Sequence, residues 1–153
     1  MPGKLLKTFR TLKTFSTLKT LLLIDAYAMI YRAYYAFIRA PRMNSRGENT
    51  SAIFGFVVTL EDLIKRVKPS HMAVAFDPAG PTFRHEAYEQ YKAQRQETPE
   101  DIRWAVPRIK QLLEAMNIPV LDVPGYEADD VIGTLAHKGL LILRKFLCTC
   151  QNY

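Results

Sequence analysis

The chain has 153 residues, 48% of them hydrophobic and 24% charged. That balance describes one globular domain able to bury a core and excludes a disordered chain. No apolar run approaches the ~20 residues of a membrane-spanning helix. The formal net charge is +6, but five of the 21 Lys and Arg residues fall within residues 1–20, where there is no acid, so the other 16 face 15 acids and the rest of the chain is nearly neutral. The basic character is therefore concentrated at one end, and any charged patches elsewhere must cancel in the sum.

Residues 6–20 form a degenerate repeat, LKTFRT, LKTFST, LKT, with an apolar residue at every third position. That spacing fits neither a strand nor an amphipathic helix. The acid-free, Lys- and Thr-rich composition admits an organelle transit segment. Low-complexity segments seldom build a core, which favours a basic extension over residues 1–20. From Leu21 the pattern changes: Leu21, Leu22, Leu23 and Ile24 read as a strand buried on both faces and ending at Asp25. A helix follows, with apolar positions at Ala28, Ile30, Tyr31, Tyr34 and Tyr35. Residues 41–49 are rich in turn formers and read as a surface loop. Thr50 or Ser51 is placed to cap a helix reaching Val67, and Pro69 ends it.

Residues 71–76 are a second buried strand, followed by Asp77, Pro78 and Gly80. Residues 81–97 are polar, basic and aromatic. Thr98, Pro99, Glu100 and Asp101 announce a helix, with a Thr cap, Pro at the first position and acids in the first turn. It runs to about Asn117 with a kink expected at Pro107. Residues 118–123 are a third strand. Pro124 and Gly125 turn the chain into a last helix over 127–137, whose buried stripe is Ala128, Val131, Ile132 and Leu135. Domain boundaries are accordingly placed at 1–20 for the extension, 21–138 for the folded unit and 139–153 for a tail. Cys148 and Cys150 are too close in sequence for an unstrained disulfide and have no nearby histidines for zinc, so they read as free thiols of a cytoplasmic protein.

Strands alternating with helices imply a parallel sheet covered on both faces, an α/β fold whose ligands sit at the carboxyl edge of the strands. Asp25 and Asp77 stand at that edge, and Glu127, Asp129 and Asp130 follow the third strand. Converging carboxylates repel one another unless cations fill the array. Hard divalent ions with oxygen ligands suit it, which makes Mg²⁺ or Mn²⁺ the expected cofactor and phosphodiester hydrolysis the expected chemistry. Each acid also has a plainer reading: Asp25 as a helix cap, Asp77 as a turn residue, Glu127 as a helix-start acid. Helical spacing sets Glu127 and Asp130 on neighbouring faces and leaves Asp129 to one side. Phosphatases of the haloacid dehalogenase type place a second Asp two residues after the first; here Tyr27 occupies that position.

Between Gly80 and Glu97 stand Phe83, Arg84, His85, Tyr88, Tyr91, Lys92 and Arg95. Cations bind phosphates and aromatic rings stack on unpaired bases, while the plain alternative is a solvated helix with its rings in the core. Tyr88, Lys92 and Arg95 recur at helical spacing, and the segment directly follows Asp77, which favours nucleic acid.

Three blocks, LLLIDAYAMIYRAYYAF, VAFDPAGPTFRHEAYEQYKAQRQETPEDI and IPVLDVPGYEADDVIGTLA, resemble the 5′-3′ exonuclease domain of bacterial DNA polymerase I, a relative of the flap endonucleases. The blocks come in family order and span about residues 21–137. The resemblance implies a resolvase-like, PIN-like α/β domain, incomplete here, and Mg²⁺-dependent hydrolysis of DNA near a 5′ flap or 5′ end in replication and repair. It implies that Asp25, Asp77, Glu127, Asp129 and Asp130 bind metal, which restores Asp129. It also implies that Arg84, Tyr88, Tyr91, Lys92 and Arg95 bind substrate, with Lys92 and Arg95 near the scissile phosphate and Asp25 and Asp77 beside them in catalysis. Two family features have no match: no acid follows Asp130, where the family has a further strand ending in an aspartate pair, and the duplex-gripping helix-hairpin-helix is absent. The apolar run at residues 140–143 is a candidate for that further strand. A fragment that folds and binds DNA without cleaving it is the alternative reading. A PIN-type ribonuclease is disfavoured by the FRHE and YKAQR segment.

Overall fold

In the structure, a computed structural model, residues 20–84, 97–140 and 145–148 are described. Four strands form one parallel sheet in the order β3-β2-β1-β4: β1 is Thr20–Asp25, β2 His71–Phe76, β3 Val120–Asp122 and β4 Lys145–Cys148. Among the described residues, four helices connect and cover it: α1 Ala26–Ala36, α2 Ser51–Val67, α3 Glu100–Ala115 and α4 Ala128–Leu140. The strand alternation divides the core between two faces, as a pleat requires. Leu22 and Ile24 of β1 and Val74 and Phe76 of β2 pack with α1, α2 and α3. Leu23, Ala73 and Ala75 turn to the opposite face and meet Ala128 and Ile132 of α4. Every one of these residues is 8% exposed or less, which is why the strands read as continuous apolar runs rather than alternating ones.

The expected elements are present, with local differences. β1 begins at Thr20, whose N–H donates to Ser70 Oγ at 2.8 Å. The buried face of α1 is Ala26, Met29, Ile30 and Ala33, while Tyr35 is 52% exposed. Of the expected face, Ile30 is buried and Tyr31 and Tyr34 pack against the core from partly buried positions, while Ala33 adds a small residue where α2 approaches closely: a Cβ added at Gly55 would lie 2.7 Å from Ala33 Cβ. Thr50 sits at the N-cap of α2 without a capping bond, since its hydroxyl donates to Arg42 O and Ser51 Oγ accepts from Arg42 N. The cap of α3 is Pro99 rather than Thr98: the Ile102 and Arg103 N–H groups donate to Pro99 O, and Thr98 Oγ1 accepts from the Tyr31 hydroxyl at 3.3 Å. α3 continues through Pro107, and the Arg108 guanidinium donates to Trp104 O within the same stretch.

Asn117, with φ 56°, ends α3 in a left-handed turn, and Pro119 contributes only its carbonyl, to Val74 N. β3 is consequently three residues long. The fourth strand lies at Lys145–Cys148 and pairs with β1, whereas Leu140 closes α4. The expected strand at 140–143 is thus displaced toward the C-terminus because α4 runs on to the start of that segment; residues 141–144 lie outside the described residues. Residues 1–19, the segment from His85 to Gln96 that includes Tyr88, Tyr91, Lys92 and Arg95, and the thiols of Cys148 and Cys150 also lie outside them. Among the described residues no helix is long and apolar enough to cross a membrane.

Candidate active site

The carboxyl edge of the sheet collects the acids because parallel strands all end on the same side. Asp25 is the last residue of β1 and also the N-cap of α1, its Oδ1 accepting from Ala28 N at 3.0 Å. The cap reading is thus correct for Asp25, and it fixes the carboxylate at the edge instead of competing with a functional role. Asp77 follows β2, and its Oδ1 accepts from Ala128 N at 2.8 Å, a bond across 51 residues that ties the end of β2 to the start of α4. It does more than turn the chain.

The start of α4 carries the other three acids. Gly125, with φ 83°, makes the turn that precedes it. Glu127 is buried, at 6% exposure. Asp130 Oδ2 accepts from Glu127 N at 3.1 Å, a reach-back bond of the capping-box kind. The acids also sit at the positive end of the α4 dipole, which favours them. Arg84, expected to meet substrate, forks onto this pair: Nη1 is 3.0 Å from Glu127 Oε2, and Nη2 is 2.6 Å from Asp130 Oδ1.

Of the remaining three acids, Asp77 and Asp129 act on Asp25 as like charges. The Asp25 carboxyl titrates above its ordinary value, first because burial penalises its charged form and then because Asp77 and Asp129 repel it; the Ala28 N–H bond opposes the shift. Asp129, which helical spacing left to one side, is exposed, yet its charge reaches Asp25. No ion pair neutralises Asp25, Asp77 or Asp129 among the described residues.

Asp122, at the end of β3, is a further acid at this edge that was not singled out from the sequence. It pairs with Lys110 at 2.6 Å. Together with burial, Asp77 and Tyr31 it holds the Tyr27 hydroxyl above its usual range. The signal was available: Val120, Leu121, Asp122 repeats the apolar-strand-then-acid pattern of β1.

Among the described residues, no three His, Cys, Asp or Glu side chains are gathered closely enough to hold a metal ion as arranged. The donor chemistry nevertheless fits a hard cation: the acids are oxygen donors, Asp77 and Asp129 both repel Asp25, and among the described residues none of these three has an ion-pair partner.

Comparison with known proteins identifies the family and the fold. A family model described as the 5′-3′ exonuclease, N-terminal resolvase-like domain matches residues 20–145. DNA polymerase I of Chloroflexus aurantiacus is 49% identical over 118 residues, 77% of this chain and 12% of that protein. A 5′-3′ exonuclease of Aquifex aeolicus is 41% identical over 118 residues, 77% of this chain and 40% of that protein. The T5 5′-exonuclease with bound divalent zinc shares the fold, with a TM-score of 0.67 at 18% identity over 85% of this chain and 48% of that one. A bacteriophage T5 flap endonuclease solved with DNA and metal ions matches with a TM-score of 0.55 at 20% identity, again over 85% of this chain and 48% of that one. The chain therefore spans less than half the length of these relatives.

Proposed function

This chain belongs to the family of the 5′-3′ exonuclease N-terminal, resolvase-like domain, and from that premise we propose that it carries the acid-bearing half of a metal-dependent nuclease. Its substrate in this reading is DNA with a 5′ end or 5′ flap, met in the cytoplasm. The observation that supports it most is the gathering of acids at the carboxyl edge, where Asp77 and Asp129 repel Asp25 and, among the described residues, none of the three has an ion-pair partner. A site that stores like charge in this way is stabilised by binding a cation.

Asp25, Asp77, Glu127, Asp129 and Asp130 would hold Mg²⁺ or Mn²⁺. When bound, such an ion supplies an activated water and charge stabilisation at a phosphodiester. The chain's own residues do the rest. β1 and β2 fix Asp25 and Asp77 through the Ala28 and Ala128 N–H bonds, so neither carboxylate has to be ordered when substrate arrives. Tyr88 and Tyr91 would stack on unpaired bases, and Lys92 and Arg95 would pair with phosphates near the scissile bond.

A second reading, a DNA-binding fragment without cleavage, is favoured by one observation: β4, which pairs with β1, carries no acid. Cleavage of a 5′-flap DNA by the purified chain in Mg²⁺, with EDTA and Asp25→Ala controls, separates the two. Cleavage that both controls abolish supports the nuclease. DNA binding without cleavage by a folded chain supports the second reading.

A further inference from the structure

The Arg84 guanidinium occupies part of the acidic cluster itself. Besides its bonds to Glu127 Oε2 and Asp130 Oδ1, its Nη1 stands 3.1 Å from Asp130 Oδ2. Both Asp130 oxygens are thus engaged, and Oδ2 accepts from Glu127 N as well. Local structure holds the arginine in place. Phe83 N donates to Gly125 O at 3.0 Å, the Phe83 ring rests 5.7 Å from that of Tyr126, and the guanidinium lies over Phe83 at 5.1 Å. The Glu127 and Asp130 side chains are only 8% and 20% exposed, so solvent screens this contact weakly.

A guanidinium fork directs its N–H groups at the same carboxylate lone pairs that a hard divalent cation requires. Two cations on one poorly screened carboxylate also repel each other. We infer, building on the metal-binding reading above, that Arg84 is an internal counter-ion for Glu127 and Asp130. It neutralises them in the metal-free chain, and a divalent cation that takes up these carboxylates displaces it. The ion pair and the metal are then mutually exclusive partners of the same oxygens. The arginine keeps the empty site from destabilising the fold, and it sets a threshold below which metal does not bind.

The sign of one measurement decides this. Mn²⁺ binding by calorimetry is compared for the wild type and Arg84→Gln. Displacement predicts about tenfold tighter binding by the variant, since competition is removed. It also predicts that the variant is less stable than the wild type in EDTA and that the gap narrows as Mn²⁺ saturates the site. A residue that merely orients metal ligands gives the opposite sign, its loss weakening affinity by roughly 10- to 100-fold. Equal or weaker affinity in the variant therefore overturns the inference, while the metal reading survives because the wild type still binds. If neither protein binds Mn²⁺, the metal reading falls and displacement falls with it. If Arg84→Gln does not fold in EDTA, the wild type gives a second readout: the Arg84 Nη resonances in NMR, restrained by the fork without metal, lose that restraint as Mg²⁺ is added. Unchanged resonances at saturating Mg²⁺ overturn the inference.

Discussion

Asp77 has two separable jobs, and two substitutions divide them. Its Oδ1 accepts from Ala128 N at 2.8 Å, and Ala128 is 2% exposed, so water does not replace a lost acceptor easily. Removing a helix-start acceptor costs about 0.5–2 kcal/mol, and a buried N–H left without a partner costs about 1–3 kcal/mol. These describe the same loss from two sides, so Asp77→Ala is expected to destabilise by about 1–3 kcal/mol. Asp77→Asn keeps a carbonyl oxygen in place and removes one of the charges that repel Asp25, so its stability is expected within about 0.5 kcal/mol of the wild type. Urea unfolding in EDTA, followed by circular dichroism, measures both. A Mn²⁺ titration of the same proteins is expected to show binding lost in both variants, because a neutral amide is a poor ligand for a hard cation. Equal destabilisation by Ala and Asn refutes the hydrogen-bond argument, and Mn²⁺ binding unchanged in Asp77→Asn refutes the assignment of Asp77 as a ligand.

Further predictions concern the packing, the titration and the DNA contacts. Gly55→Ala brings a methyl to 2.7 Å from Ala33 Cβ and 3.2 Å from Ala33 Cα; overpacking of about 1–3 kcal/mol outweighs the gain of about 1 kcal/mol in helix propensity. A net loss is therefore expected in thermal unfolding, and Ala33→Gly in the same chain should recover it, whereas additive effects would contradict the contact. The Asp25 carboxyl titrates higher in the folded chain than in the unfolded one, so it binds its proton more tightly when folded. Its contribution to stability is full below the unfolded carboxylate value of about 3.9 and is lost as pH rises through the folded value. In EDTA, Asp25→Asn, which keeps the cap, should thus gain on the wild type as pH rises from about 4 toward 7; a difference independent of pH would contradict the burial argument. Finally, Lys92→Ala and Arg95→Ala should each weaken binding to flap DNA and reduce the slope of log affinity against log salt by about 1. Slopes equal to that of the wild type would place these cations off the phosphates.

The sequence by itself determined three of the strands, the helices and the edge on which the acids stand; the fourth strand, expected at residues 140–143, lies at Lys145–Cys148. The apolar runs ending at Asp25 and Asp77 are long enough and regular enough to read as doubly buried parallel strands, and a parallel sheet brings their ends together without further information. The family resemblance rests on contiguous blocks and matches the family found for residues 20–145. Tertiary structure decided how the acids are partitioned. Nothing local says that Arg84 joins Glu127 and Asp130, 43 and 46 residues away, instead of a phosphate, or that Asp77 binds the backbone of α4 across 51 residues. Helical spacing left Asp129 aside because periodicity reports the face of a helix, whereas its effect on Asp25 depends on where that helix begins relative to the sheet. The close approach of α2 to α1, where Gly55 meets Ala33, was decided in the same way. Short-range pattern fixes which residues are helical or extended; partners far apart in sequence are fixed only when packing sets the distance and the screening between their charges.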